Sequence, residues 1–270
     1  MKKIFLVVYA LLIASSLGLT GPASAHEPLF GLGPHTVGQY AWALESELER
    51  GHEGWANHYE LAYGITPDIV LTTALPYVFA DNERKAGFGD LVVRGKYRFL
   101  RLDVLNASTA FALHWGLKFP TGSRSEHRGS GTTDYFLGLS FGHEGRKNYA
   151  FADVRYQVNG SVENVKQGNA INIDAAYGIR PWQLEYLQPD LVLLVEMLGE
   201  ATSKNSIRGI DDANSGGYTL SIAPGFLFSY RNMMFKGGVK FAVLDKLNGV
   251  QERLDTEFLF SVEFHMPPFK

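Results

Sequence analysis

The sequence contains no cysteine, which excludes disulfides and a lipid-modified cysteine at the start of an exported chain. It also lacks a long hydrophobic run beyond its first residues, because the most apolar stretch, residues 191–198, is interrupted by Glu196. A membrane-spanning helix needs about 20 apolar residues, so this stretch is far too short. The chain can therefore cross a membrane only as a β-barrel, in which every backbone group bonds to a neighbouring strand.

The chain has little net charge, with 25 Lys and Arg residues against 28 Asp and Glu residues. Nothing in this composition indicates a surface for a nucleic acid. No Pro-rich or Ser-rich linker and no charged tail divides the sequence. We therefore expect one domain after the amino-terminal segment, and no nucleic-acid partner.

The first residues have the pattern of an export signal. Lys2 and Lys3 precede an apolar run at 4–14, and the small-x-small sequence Ala-Ser-Ala follows at 23–25. We predict that residues 1–25 are a cleaved signal peptide, with a retained helical anchor as the alternative.

Cleavage there would divide the rest of the chain into two parts. The mature protein would begin at His26, residues 26–35 would form a periplasmic amino-terminal segment, and residues 36–270 would form an outer-membrane β-barrel. Together with the strand pattern described next, export by this route predicts that the protein resides in the bacterial outer membrane, with the lipid bilayer and lipopolysaccharide as its surroundings.

A two-residue alternation dominates the remaining sequence. Between 107 and 119, apolar or aromatic side chains occupy every second position from 111 onward, and small or polar ones lie between them. This pattern is typical of a strand with one apolar and one polar face. It recurs along the chain and predicts strands at 36–48, 54–65, 69–80, 88–100, 107–119, 132–143, 148–158, 169–180, 188–200, 217–230, 233–243 and 253–265.

The connections between these strands alternate in length. Short ones are 66–68, 101–106, 144–147 and 231–232, and longer ones are 81–87, 120–131, 159–168, 201–216 and 244–252, while 49–53 and 181–187 break the rule. Outer-membrane barrels have short periplasmic turns and longer external loops. The sequence therefore predicts an all-β fold, an up-and-down antiparallel transmembrane β-barrel of about 12 strands.

Aromatic residues cluster near the predicted periplasmic ends of the strands, as amphipathic rings do at the depth of lipid headgroups. They are Tyr40, Trp42, Tyr63, Tyr97, Phe99, Trp182, Tyr186, Tyr230 and Phe264. The alternative is a soluble barrel with ordinary core aromatics. Strand length favours the membrane, because most segments reach the roughly 9–11 residues of a tilted span.

The polar faces of the strands would point into the lumen. There we predict a solute path lined by Glu45, Glu60, Asp90, Arg94, Lys96, Arg98, His114, Lys118, Asp134, Asp174, Glu196, Lys236, Lys240 and Glu257. The same pattern turns Glu47 and Glu200 inward. Two interpretations stay open: a salt-bridge network that stiffens the wall, or a polar conduit whose charges select solutes. The ladder formed by Arg94, Lys96 and Arg98 needs neighbouring carboxylates or water in either case.

Three short motifs carry a family resemblance. They are Gly-Phe-Gly-Asp-Leu at 87–91 leading into Lys-Tyr-Arg-Phe at 96–99, Leu-Lys-Phe-Pro-Thr-Gly at 117–122, and Gly-Tyr-Thr-Leu at 217–220 with Ala-Pro-Gly at 223–225. In this order they resemble the outer-membrane barrel family labelled "putative MetA-pathway of phenol degradation". The resemblance implies a barrel of the fatty-acid and aromatic-hydrocarbon porin type and transfers no substrate residue. Within it we expect Asp90 to be a lumen-facing partner for a base.

The carboxyl terminus carries an alternating aromatic strand. Phe258, Phe260, Val262 and Phe264 are similar to the signal that the barrel-assembly machinery reads, which makes that machinery an expected partner. Strands of this kind usually end on the aromatic residue itself. This chain departs from the pattern because six more residues follow Phe264.

An enzyme is the alternative from another functional class, since outer-membrane phospholipases are barrels of similar size. Gly-Leu-Ser-Phe-Gly at 138–142 matches G-x-S-x-G. A nucleophile elbow needs a strained turn from strand to helix, whereas Ser140 lies within a predicted strand. None of the eight His residues is followed two positions later by Ser, so we predict no catalytic residue.

Metal binding is a third possibility, because a free His26 amine and imidazole could chelate copper. His35, His52 and His58 are further candidates, and the acidic loop 211–214 could hold a weak cation. No Cys or His motif of a zinc site and no calcium loop accompanies them. We therefore predict no metal site and no cofactor.

The sequence is best explained by a channel. We predict passive uptake or efflux of small solutes, with aromatic or hydrophobic compounds as the more specific hypothesis. A lipid-modifying enzyme and a structural barrel with a plugged lumen are the alternatives. Steady conductance in a planar bilayer would favour the channel over both.

Overall fold

The computed structural model describes residues 27–51, 54–82, 84–182 and 188–268. The predicted signal peptide, its cleavage site, His26, His52 and Tyr186 lie outside these ranges. Across the described ranges, no helix is both long and apolar enough to cross a membrane.

Twelve long antiparallel strands form the wall of a barrel. In chain order they are β1 (Trp42–Gly51), β2 (Gly54–Gly64), β3 (Ile69–Val78), β4 (Leu91–Val104), β5 (Ala107–Phe119), β6 (Asp134–Gly145), β7 (Asn148–Val158), β8 (Ala170–Ile179), β9 (Asp190–Thr202), β10 (Gly217–Tyr230), β11 (Met233–Leu247) and β12 (Glu257–Met266).

Each strand pairs with the next one in the chain, and β12 pairs with β1, where Leu44 lies opposite Phe264. This last pairing closes the sheet, so neither end strand leaves an unpaired edge. The predicted fold class, a closed antiparallel barrel of twelve strands, is confirmed.

The alternation in sequence separates an outer and an inner face. On β6, Tyr135, Leu137 and Leu139 are 52%, 58% and 49% exposed, whereas Asp134 and Ser140, which are even-numbered and lie on the opposite face, are buried. A soluble barrel would place its apolar side chains inside. Here the apolar side chains form the outer surface, where lipid covers them, and polar groups form the interior.

Some strand boundaries differ from the predicted ones. The first strand begins at Trp42 rather than at residue 36, because the chain turns at Tyr40, which has a φ of 60° and donates its N–H to the Gly64 carbonyl at 2.7 Å. Residues 36–39 therefore do not join the wall. On β4 the pairing with β5 shifts between Arg98 and Leu100, so Phe99 forms an irregularity in the ladder.

The two ends of the barrel differ. At one end, which we call the turn end, strands are joined by connections such as 105–106, 146–147 and 231–232. At the other, the loop end, the connections are mostly longer. Two of those loops carry hairpins that pair with each other into a small sheet made of Ser161–Val162, Val165–Lys166, Ser206–Ile207 and Ile210–Asp211.

Candidate functional site

The segment that precedes β1 lies inside the barrel. Leu29 is 6% exposed and packs among inward side chains that include Phe151, Leu194, Leu227 and Leu259. The sequence predicts a periplasmic segment at residues 26–35, and the structure describes residues 27–35 inside the lumen. The alternation of the strands gives no information about this segment, because the segment is not a strand.

Glu196 anchors this segment at the middle of the lumen. Its carboxylate accepts the backbone N–H of Leu29, that of Phe30 at 3.1 Å and that of Gly31 at 3.3 Å. Glu196 is 1% exposed, and a buried carboxylate is stable only with such donors. Successive N–H groups of one chain segment form a concave anion site that meets this need.

Asp153 continues the anchor on β7, where its Oδ2 accepts the N–H of Leu32 at 2.9 Å. Further along, Lys96 donates to the Glu27 carboxylate and to the carbonyl of His35 at 2.7 Å. The His35 Nε2 atom lies 3.2 Å from Glu144 Oε1. The segment is therefore held along its whole described length inside the wall.

Two cavities remain on either side of this segment. The loop-end cavity has a volume of about 860 Å³ and the turn-end cavity about 340 Å³. Phe30, Glu49 and Arg155 line both of them. These three side chains therefore lie where the two cavities adjoin, and we call them the neck.

The neck joins opposite walls of the barrel. Glu49 is on β1 and Arg155 is on β7, six strands away in the ring of twelve. Phe30 comes from the amino-terminal segment between them, and its ring centroid is 5.7 Å from the Lys240 Nζ atom. A solute that crosses the barrel would meet one anion, one cation and one aromatic ring at this level.

Of the residues predicted to line the solute path, nine line one of the two cavities. They are Glu45, Glu60, Arg94, Lys96, His114 and Lys236 at the turn end, and Asp174, Lys240 and Glu257 at the loop end. Glu196 lies beneath the amino-terminal segment and serves as its anchor. The remaining four lie elsewhere.

Asp90 and Asp134 organise the loop end. Asp90 accepts the N–H groups of Gly122 at 2.9 Å and Ser130 at 2.8 Å, rather than contacting the base that we expected. Asp134 accepts the N–H of Gly160 at 2.8 Å and contacts Lys118. Both carboxylates therefore fix loops instead of lining a cavity.

Each residue of the basic ladder contacts a carboxylate of its own. Arg94 contacts Glu60 and Lys96 contacts Glu27. Arg98 lies at the turn end, where its guanidinium is 2.8 Å from both the Asp68 carboxylate and the Pro67 carbonyl. These pairs satisfy the requirement for neighbouring carboxylates that the sequence pattern set.

A serine and a histidine also meet inside the wall. The Ser140 Oγ and His114 Nε2 atoms are 2.7 Å apart, which is the contact that a nucleophile and its base would make. However, Ser140 is 3% exposed and is not among the lining residues of either cavity. It lies in the middle of β6 rather than on a strained turn, so the geometry of a nucleophile elbow is not present at this serine.

The candidate metal ligands have other contacts where the structure describes them. The Nε2 atom of His58 is 3.2 Å from Glu49 Oε2, and His35 contacts Glu144. In the described part of the chain, no three His, Asp or Glu side chains converge as a metal site would require.

Comparison with known proteins identifies a family. Residues 25–247 match the model of the family described as "Putative MetA-pathway of phenol degradation". None of the curated proteins matches the sequence significantly.

Solved outer-membrane barrels share the fold. The COG4313 outer membrane channel from Pseudomonas putida F1 is 13% identical, with a TM-score of 0.60 over 84% of this chain and 94% of that one. The NanC porin is 11% identical, with a TM-score of 0.54 over 83% of this chain and 98% of that one. The KdgM porin, solved with disordered oligogalacturonate, is 10% identical, with a TM-score of 0.51 over 82% and 98%. The chain therefore has the fold of an outer-membrane β-barrel, and its location is the outer membrane.

Proposed function

Since the chain belongs to the outer-membrane barrel family described as "Putative MetA-pathway of phenol degradation", we propose that it is a passive channel for small polar solutes. Solutes would enter the loop-end cavity, pass the neck and leave through the turn-end cavity by diffusion. This route assumes that the loop end faces the outside, as in other barrels with long external loops.

The observation that carries this proposal is the pair of cavities that meet at Phe30, Glu49 and Arg155. The turn-end cavity, at about 340 Å³, is close to the lower size of cavities that hold small ligands, roughly 300 Å³. A lumen filled throughout by side chains would leave no such space at mid-height.

The polar character of the lining supports small polar solutes over aromatic or hydrophobic ones. Amide side chains such as Gln157, Asn172 and Asn205 line the loop-end cavity beside its charged groups. Apolar solutes bind where apolar and aromatic side chains dominate the lining. The Phe30 ring is the aromatic surface at the neck and is the feature that favours the aromatic alternative.

The test is a pair of measurements on the full-length mature protein refolded into lipid. Steady single-channel currents in planar bilayers, together with swelling of liposomes in isotonic glycerol or a small sugar, are expected for the channel. A closed lumen would give no current and no swelling, which would favour the structural barrel. Release of fatty acid or lysolipid from the same vesicles would favour the enzyme.

A solute series separates polar from hydrophobic uptake. Swelling rates should fall with size among neutral polar solutes, because the neck sets the limit. A hydrophobic route would instead show binding of phenol or alkyl detergents to the lumen while polar solutes stay excluded.

The proposed partners follow from the location. The lipid bilayer is the environment of the barrel, and lipopolysaccharide would contact the loop end. We propose the barrel-assembly machinery as the partner in insertion, because of the alternating aromatic strand β12. Depletion of that machinery should leave the protein unfolded in the periplasm.

A further inference from the structure

We infer that this channel selects small organic cations, such as protonated amines, over anions, and that Glu47 and Glu200 determine the selectivity. The inference rests on the proposed channel function and names the solute class. It depends on how the charged groups along the two cavities are paired, rather than on their number.

Every lysine and arginine that lines either cavity contacts a carboxylate. The pairs are Arg94 with Glu60, Lys96 with Glu27, Lys236 with Glu45 at 2.6 Å, Arg155 with Asp174 at 2.5 Å, and Lys240 with Glu257 at 2.7 Å. An anion in transit would have to compete with these intramolecular partners. The lining therefore offers it no uncompensated cation in the described part of the wall.

The turn-end cavity holds a carboxylate that no lysine or arginine contacts. Glu47 lies between Glu45 and Glu49 on the inward face of β1 and lines this cavity. Glu45 contacts Lys236, and Glu49 contacts His58. Within the described ranges, Glu47 itself makes no direct hydrogen bond or ion pair with another side chain, and His58, which lies opposite it in the strand pairing, contacts Glu49 instead.

The loop-end cavity holds a second carboxylate that no lysine or arginine contacts, that of Glu200. The Glu200 carboxylate accepts hydrogen bonds from Asn172 Nδ2 at 3.0 Å and Thr202 Oγ1 at 2.9 Å. Both donors are neutral, so they hold the carboxylate in place without cancelling its charge. Each cavity therefore contains at least one carboxylate that no lysine or arginine contacts, and a passing cation can meet its negative charge on either side of the neck.

The neck also accepts a cation. The Phe30 ring lines both cavities, and Lys240 Nζ already lies 5.7 Å from its centroid. The face of an aromatic ring attracts ammonium groups. A protonated amine could therefore leave Glu200, pass the ring and reach Glu47.

Barrel walls strengthen this preference, because a narrow lumen with low-dielectric walls focuses the field of fixed charges. A monovalent organic cation is favoured over a multivalent one, since single carboxylates separated by a neck bind weakly enough to let the solute leave. Conduction requires that balance between attraction and release.

The test is the reversal potential of the full-length protein in planar bilayers across a KCl gradient at pH 8, repeated with tetramethylammonium chloride. We expect permeability ratios of potassium and of tetramethylammonium over chloride of about ten, the lower end of focusing by a charged cleft. The double variant Glu47→Gln/Glu200→Gln should bring both ratios close to one. Each single variant should give an intermediate value.

The matched control is Glu163→Gln, which removes the same charge from an exposed side chain of an outer hairpin. Its permeability ratios should equal those of the native protein. If the double variant does not fold, the single variants and the native ratios still decide the question.

Three outcomes would contradict the inference. They are a native ratio of one or below, equal ratios in the native protein and the folded double variant, and the same loss of selectivity in Glu163→Gln. Absence of any current from the folded native protein would instead contradict the proposed channel function.

Discussion

The carboxylate of Glu196 on β9 lies 3.1 Å from the backbone nitrogen of Phe30. This contact joins the middle of the barrel wall to a segment 166 residues earlier in the chain. It places the Phe30 ring at the neck between the two cavities, where the segment divides the lumen. One buried acid therefore fixes where the amino-terminal segment lies and, through it, where the Phe30 ring lies between the two cavities.

Replacing Glu196 should loosen the amino-terminal segment. In Glu196→Ala, the N–H groups of Leu29, Phe30 and Gly31 lose their acceptor, and the free energy of unfolding should fall by about 2–3 kcal/mol. Single-channel conductance should rise as the segment leaves the neck. Urea unfolding in lipid vesicles and bilayer recording measure the two effects, and Glu163→Ala in an outer hairpin is the control. Unchanged conductance in a folded Glu196→Ala would show that the segment does not limit the path.

A cation on the lipid-facing surface should destabilise the barrel. Trp115 is on the outer face of β5, so Trp115→Arg should lower the free energy of unfolding by about 2–4 kcal/mol, as for a cation at bilayer mid-depth. The inward control is Thr219→Arg, which lies beside Glu200 and Asp245 in the strand pairing. Its folding should be nearly unchanged. Equal losses in both variants would mean that the two faces are assigned wrongly.

The native Trp115 ring also limits the size of the side chain at position 95 on the neighbouring strand β4. A methyl group added at Gly95 would overlap the Trp115 ring, so Gly95→Ala should cost about 1–3 kcal/mol of stability through overpacking. At Gly51 the nearest atom to an added methyl group is 3.4 Å away, and Gly51→Ala should be tolerated. Urea midpoints of the two variants give the comparison. A stable Gly95→Ala would show that Trp115 can leave its position at no cost.

The basic ladder should behave as a structural element. The triple variant Arg94→Gln/Lys96→Gln/Arg98→Gln leaves Glu60, Glu27 and Asp68 without their cations, which is costly where a carboxylate is partly buried. We expect loss of the heat-modifiable folded band on gels, or a lower urea midpoint. A folded triple variant with an altered ion preference would contradict this expectation and make the ladder a selectivity element.

Orientation can be tested with an inserted epitope tag. Gly209 is at the tip of an outer hairpin with no atom within 4 Å of its added methyl position, so a tag there should be tolerated and labelled on intact cells. A tag at Arg231 and Asn232, in a turn between β10 and β11, should be labelled only after the outer membrane is opened. The reverse pattern would invert the route proposed above.

The sequence alone determined the wall. Side chains alternate with a period of two, so Trp115 and Lys118 fall on opposite faces whatever they contact. Closure is predicted because only a closed sheet satisfies every backbone group within a bilayer. The error at the first strand arose because residues 36–41 share polar and apolar alternation with the true strand, while the turn at Tyr40 depends on a bond to Gly64.

Only the tertiary structure decided the interior. A strand pattern tells which way Glu47 and Lys236 point but not which partner each will meet, because partners across a lumen come from strands with no fixed sequence spacing. The alternation placed Glu196 on the inner face, yet nothing in the pattern identified Leu29 and Phe30 as its partners. The face on which a side chain lies depends only on the residues of its own strand. The pairing of charges across the barrel depends on the closed geometry of all twelve strands.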